Sequence, residues 1–197
     1  MGVLIDMTKD KSHKKTAIFI DGSNIYIGGR DLFGIRVRPE NLISILSEDK
    51  FITQVYYFSS EDPNNRGQQR FHDSLRNKGI VVVTEPIVER EQKITCPNCR
   101  IEVKPICENC GEIVTLPPHK SKKIDILLGA KLLDLCDTYD DAIIASGDQD
   151  FIPIINILRE QKGKKIYIAS FEKPLSHEYR LCTDGITILD DYIEQLK

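Results

Sequence analysis

Two clusters of carboxylates at the ends of apolar runs set out the chemistry open to this chain. One run is Ala17-Ile-Phe-Ile-Asp21-Gly-Ser-Asn24, and the other is Ala142-Ile-Ile-Ala-Ser146-Gly-Asp148-Gln-Asp150-Phe151. An uninterrupted apolar run of this length reads as a strand buried on both faces. The acidic residues then fall at the carboxyl ends of strands, where open α/β sheets hold their ligands. Crowded carboxylates repel one another, and a hard cation held by oxygens relieves the repulsion. The expectation is a site for Mg²⁺ or Mn²⁺ that cleaves phosphodiesters.

Each acidic residue also has a local reading. Asp21-Gly22 could be a simple turn, and Asp150 could cap the helix opening at Phe151. Asn24 could cap the next segment, or orient a phosphate or the attacking water. Asp125, in Lys122-Lys-Ile-Asp125, could complement a helix dipole or reach the same sheet edge from a third segment. Capping alone leaves Ser146-Gly-Asp-Gln-Asp unexplained, because Gly147 permits a tight turn on which several oxygens converge.

The elements that must position these residues alternate. Strand-like runs cover Thr16 to Ile20, Thr53 to Phe58, Gly79 to Thr84, Asp141 to Ala145 and Lys164 to Ala169. Helical patterns cover Arg38 to Leu46, Asn65 to Lys78, Ile124 to Cys136, Phe151 to Gln161 and Leu189 to Lys197. Such alternation predicts an α/β fold with a mainly parallel sheet and helices on both faces. Gly34, Gly79 and Gly163 mark turns or helix ends.

The chain has 197 residues, with 41% hydrophobic and 29% charged residues, as in an ordinary globular domain. No apolar run is long enough to span a bilayer, and the first 15 residues lack the pattern of a secretory signal. The expected compartment is the cytosol, with no membrane partner. A net charge of −3 does not by itself suggest a nucleic-acid binder. Lysine clusters at Lys11 to Lys15, Lys120 to Lys123 and Lys162 to Lys165 stand beside acids that a cation would offset. The histidines His13, His72, His119 and His177 are scattered outside these motifs.

The alternation breaks between Pro86 and Pro118, a stretch with four of the six cysteines. Cys96-Pro-Asn-Cys99 and Cys107-Glu-Asn-Cys110 are two CxxC pairs separated by seven residues. In a cytosolic chain they predict one structural, tetrathiolate Zn²⁺ site with no position left for water. Disulfides or a redox pair are the alternatives. The organisation expected is a tail over 1–15, a domain over 16–197, and a small zinc-knuckle module inserted at 86–118. Cys136 and Cys182 lie among apolar neighbours and read as core.

The combination Phe19-Ile-Asp21-Gly-Ser-Asn24-Ile-Tyr26, Lys122-Lys-Ile-Asp125 and Ser146-Gly-Asp148-Gln-Asp150-Phe151 resembles the NYN domains of the LabA-like group, within the PIN-like nuclease superfamily. The tail from Ser176 to Cys182, with Asp184 and Asp190, is similar to that family's closing segment. The resemblance implies a Rossmann-like three-layer α/β/α sandwich and a Mg²⁺- or Mn²⁺-dependent ribonuclease. It makes Asp21, Asp125, Asp148 and Asp150 the catalytic metal-binding set, with Asn24 in support. Ser146, Lys122 and Lys123 would contact the RNA, although Lys123 stands where the family usually has Gly. The rival is a non-catalytic RNA-binding or adaptor protein that makes its contacts, or a homodimer, through the cysteine module. That module lacks the aromatic residues that stack on bases. Nucleotide-binding chemistry is disfavoured because the first strand carries no GxGxxG or P-loop.

Overall fold

The computed structural model describes residues 14–90, 93–114, 119–121 and 123–197. Its centre is a six-stranded sheet formed by β1 (Lys15–Asp21), β2 (Phe51–Glu61), β3 (Val81–Pro86), β8 (Asp141–Ala145), β9 (Lys165–Ser170) and β10 (Gly185–Ile188). The spatial order is β10-β9-β8-β1-β2-β3, and every neighbouring pair is parallel. Parallel neighbours require crossovers, which helices supply. Helices α1 (Gly22–Phe33), α2 (Pro39–Leu46) and α3 (Arg66–Asn77) serve the β1-to-β3 half. Helices α4 (Ile124–Asp134), α5 (Ile152–Asn156) and α6 (Tyr179–Cys182) serve the other, and α7 (Ile193–Leu196) closes the chain.

Side chains alternate across a strand, so β1 feeds two cores. Ala17 and Phe19 pack with Leu128 and Leu132 of α4 and with Ile155 of α5. Ile18 and Ile20 pack on the opposite face with Ile25, Leu42 and Leu75, from α1, α2 and α3. The result is the three-layer α/β/α sandwich expected from the alternation of elements. Successive strands run outward in opposite directions from β1 and from β8, so the strand order reverses between them, the switch point at which such sheets open a crevice.

Among the central sheet and its flanking helices, three elements lie outside the sequence expectations: α1, α6 and the edge strand β10. Helix α1 carries Gly28 and Gly29 in its interior, each unfavourable for an isolated helix. Close packing explains them, since a Cβ on Gly28 would sit 2.5 Å from the Phe171 ring and one on Gly29 2.7 Å from Val37. The segment read as one helix from Phe151 to Gln161 has three parts: a 3₁₀ turn at Gln149–Phe151, α5, and a π-helical turn at Ile157–Gln161. Gly34, Gly79 and Gly163 hold the positive φ angles of +64°, +83° and +63° that turns require.

The cysteine stretch projects from the crossover between β3 and α4. Strands β4 (Val88–Arg90) and β7 (His119–Ser121) pair antiparallel. Beyond them β5 (Ile94–Thr95) and β6 (Glu102–Val103) form a hairpin, and Ile106 bridges Ile113. The lysine cluster at Lys11 to Lys15 and the N-terminal tail lie mostly outside the described residues. No helix among the described residues is long and apolar enough to cross a membrane.

The packing of α1 gives a direct test. Gly28→Ala should raise helix propensity by about 1 kcal/mol yet lower the melting temperature, because overpacking against buried Phe171 costs about 1–3 kcal/mol. A melting temperature equal to or above that of the parent in a thermal unfolding scan would refute this account of α1.

Candidate active site

Asp21 ends β1 on the face shared with Phe19, so its carboxylate points toward the α4 side of the sheet. It is 3% exposed. Its Oδ1 accepts the backbone N–H groups of Ser23 and Asn24, both at 3.0 Å, and so caps α1. Its Oδ2 accepts the Ser146 hydroxyl at 3.3 Å. Ser146 follows β8, where the register pairs Ile20 with Ala145, so adjacency of the two strand ends alone brings the pair together. The turn reading of Asp21-Gly22 gives way to a helix cap in which Gly22 is the first helical residue. A Cβ on Gly22 would lie 2.5 Å from the Tyr57 hydroxyl and 2.8 Å from the Phe58 carbonyl oxygen.

The Ser146-to-Asp150 loop is fastened onto the same point. Asn24 Oδ1 accepts the Gly147 N–H at 3.1 Å, which fixes the amide orientation, because only the oxygen can accept. The Asn24 Nδ2 donors therefore face away from that bond. The Ser146 Oγ accepts the Asp148 N–H at 3.2 Å, and the Asp148 carboxylate accepts the Asp150 N–H at 3.0 Å. Gly147 is tightly enclosed: a Cβ there would lie 2.5 Å from the Ser170 hydroxyl and 2.8 Å from the Pro174 carbonyl oxygen. Tyr179, fully buried, donates its hydroxyl to the Asp148 carbonyl. The charges of Asp148, Asp150 and Asp21, after burial itself, push the Tyr179 phenol upward. Sequence reading did not single out Tyr179, although it lies in the Ser176-to-Cys182 segment noted above.

Asp125 stands in the first turn of α4, half-buried, and its charge acts on Asp21. Asp148 is half-buried and Asp150 is exposed. Lys123 is exposed at the N-cap position of α4, while Lys122 lies outside the described residues. Ser146 is fully buried, with its hydroxyl engaged by Asp21 and by the Asp148 amide. Histidine 72, scattered in sequence, is fully buried on α3. Cys136 is buried and Cys182 half-buried, both packed in or against the α4-side core.

Electrostatically the site is under tension. Burial, followed by the Asp125 charge, raises the Asp21 carboxyl from 3.8 to about 6, against the opposing pull of the backbone N–H groups. A carboxylate offers about four lone-pair positions. Asp21 commits three of them to protein donors and retains one. A buried oxygen anion with a second carboxylate nearby and one open lone pair suits a hard cation. Among the described residues, no three Asp, Glu, His or Cys side chains gather tightly enough to hold an ion. The four knuckle cysteines do not gather so either. Within each knuckle the sulfurs do pair: backbone N–H groups of Cys99 and Asn98 lower the Cys96 thiol, and those of Cys110 and Asn109 lower the Cys107 thiol.

Residues 15–190 match the NYN domain family. The chain belongs to the NYN domain family. This NYN domain is 26% identical over 180 residues to the low amplitude and bright protein LabA of Synechococcus elongatus, covering 90% of this chain and 84% of that protein. Its fold is similar to the crystal structure of a protein of unknown function from Vibrio parahaemolyticus, with a TM-score of 0.69. That similarity covers 93% of this chain and 97% of the other at 18% identity, which is a likeness of fold alone.

The tension at Asp21 predicts a pH dependence. Between about pH 4 and 6 the folded chain holds a proton that the unfolded chain has released, so stability falls as pH rises through that window. Above it the loss levels off at about 3 kcal/mol. Asp21→Asn keeps an acceptor for the α1 cap and removes the charge. In Mg²⁺- and Mn²⁺-free buffer it should raise the melting temperature at pH 7.5 by roughly 5 °C or more, with little change at pH 4. Equal shifts at both pH values, or a drop at pH 7.5, would show that Asp21 is not strained.

Proposed function

We propose that the chain is a ribonuclease that hydrolyses RNA phosphodiester bonds with Mg²⁺ or Mn²⁺ at the acid notch, the sheet edge where Asp21 meets the loop after β8. One observation carries the reading: a buried carboxylate at the sheet's switch point is disfavoured as an anion, with the Asp125 charge of α4 acting on it and Ser146 hydrogen-bonding it to the loop that carries Asp148 and Asp150. Membership of the NYN family, within the PIN-like nuclease superfamily, supports it. Asp21 and Asp148 would hold the cation, and Asp125 and Asp150 would complete its sphere directly or through water. When bound, such a cation neutralises phosphate charge and makes a bound water a better nucleophile.

The chain's own groups do the rest. Ser146 and the α1 amides orient the Asp21 carboxylate, and one lone pair of it remains for a cation. Asn24 is anchored through its oxygen by Gly147 and offers Nδ2 to a non-bridging phosphate oxygen. Tyr179 holds the Asp148 backbone from behind, so the loop keeps its shape as charge is bound. Lys122 and Lys123 supply positive charge for neighbouring phosphates. The domain would act in the cytosol.

The cysteine module takes a structural Zn²⁺ in the same reading. The support is the spacing of its two CxxC pairs and the backbone N–H groups that favour the Cys96 and Cys107 thiolates, because the thiolate is the ligand form. A protein-contact role for this module, in an adaptor or a homodimer, is favoured by Ile101, Ile106 and Ile113, which are 67%, 63% and 56% exposed.

Mixed labelled RNAs incubated with the protein and Mn²⁺ or Mg²⁺ should be cut, and Asp148→Asn should reduce cutting to background without lowering the melting temperature. Absence of cutting by folded protein across RNA classes would leave the adaptor reading. Elemental analysis should find one zinc per chain, and Cys107→Ser should lose it while the six-stranded core still melts cooperatively. A zinc content unchanged by that substitution would remove the zinc proposal.

A further inference from the structure

The first turn of α1 has a second neighbour that the acid notch does not use. On the other side of it, between α1, α2, α3 and the ends of β1 and β2, lies a cavity of about 510 Å³, within the range of small-molecule pockets of roughly 300–1,000 Å³. Gly22 and Ser23 form part of its wall, and the Ser23 amide donates to Asp21. The cavity and the notch therefore share one turn of backbone.

Its lining combines two kinds of group. Phe71 and Tyr57 meet edge to face at 5.8 Å, and the Arg36 guanidinium lies 5.9 Å from the Phe71 ring centroid. Tyr26, on α1, adds a ring that is 45% exposed. Deeper in, His72 is 0% exposed and Ser60 is 5% exposed. Neither ring nitrogen of His72 nor the Ser60 hydroxyl has a hydrogen-bond partner among the described residues. Buried polar groups are nearly always paired, and leaving them unpaired costs free energy. Burial also lowers the His72 pKa, so near neutral pH its imidazole is neutral, with one donor and one acceptor nitrogen. A planar ligand with its own donors and acceptors would satisfy these groups while lying against aromatic and guanidinium faces. That is the way unpaired bases are read.

We infer that this cavity receives the base of an unpaired RNA nucleotide adjoining the scissile bond, with His72 and Ser60 reading its edge and Arg36, Phe71 and Tyr26 stacking on its face. The inference rests on the ribonuclease reading for the identity of the strand. It makes the substrate single-stranded RNA, cut with a preference for one base next to the break. Base pairing would occupy the edge that His72 must reach, so duplex RNA is a poor substrate.

The test uses the full chain carrying Asp148→Asn, with labelled histidines, titrated with single-stranded oligoribonucleotides of A, C, G or U. An abasic strand and the four nucleoside 5′-monophosphates complete the set. The His72 ring resonance, assigned by its loss in His72→Leu, should move with base-bearing strands and not with the abasic strand. Affinities for the best and worst bases should differ by at least about tenfold. His72→Leu removes an imidazole with no protein partner, so it should fold as well as the parent and bind the four strands alike. Ser60→Ala should shrink the same discrimination. A His72 resonance unmoved by every strand, or moved equally by the abasic one, overturns the inference. Monophosphates that bind more tightly than the strands assign the cavity to a free nucleotide and overturn the RNA assignment. A His72 response in a protein that cuts no RNA with its acids intact sinks the ribonuclease reading alone. Cutting with no His72 response sinks the pocket alone.

Discussion

The parallel pairing of β1 with β8 is the constraint on which the remaining arrangement depends. Its register sets Ile20 beside Ala145, so the next residues on the two strands, Asp21 and Ser146, emerge together at the sheet edge. β2 and β3 extend to one side of β1 while β9 and β10 extend beyond β8, so the strand order reverses at this edge. Polar groups gather there for a topological reason before any chemistry is considered. Strand alternation then decides which layer they meet. Asp21 continues the Phe19 face toward α4 and Asp125, while Ile20 continues toward α1, α2 and α3.

That placement sets stability against the site. Burial disfavours the ionised form of Asp21, and Asp125 adds to the penalty. The backbone N–H groups of Ser23 and Asn24 recover part of it. The surrounding packing leaves little freedom to relax. Gly22 is pressed against Tyr57 and the Phe58 carbonyl, and Gly147 against Ser170 and Pro174. Tyr179 ties down the Asp148 backbone from another helix. A site in which charges are held against their preference needs such fixed walls, since mobile ones would move apart or admit water.

The first turn of α1 separates two surfaces. On one side are the acids; on the other is the cavity whose lining includes His72 and Ser60. The cysteine stretch is rooted beside both. Its outgoing strand β4 begins after Ile87, which lines the cavity, and its returning strand β7 ends four residues before Asp125. An insertion at that crossover can influence what approaches the notch without altering the core, because the six strands and their helices are complete without it.

Much of the framework was legible in the chain itself. Strand β8 coincides with the apolar run Asp141 to Ala145, and the neighbouring apolar runs locate the other central strands within a few residues, because a strand buried on both faces has to be apolar along its length. Asp21 and the Ser146-to-Asp150 loop stand out for the same reason, as polar residues that end such runs. Helix α1 was not legible, since Gly28 and Gly29 argue against a helix until Phe171 and Val37 are seen packed on them. Edge strand β10 is half-buried and short, so its apolar signal is weak. Nothing local marks His72 or Tyr179 either: their surroundings come from segments distant in sequence. The sequence by itself determined the alternation of elements and the carboxylates at strand ends, because periodicity and burial act over a few residues. Only the tertiary structure decided that Asp21 would be strained, that Tyr179 would brace Asp148, and that His72 would line a cavity. Those properties depend on distances between parts of the chain that folding alone brings together.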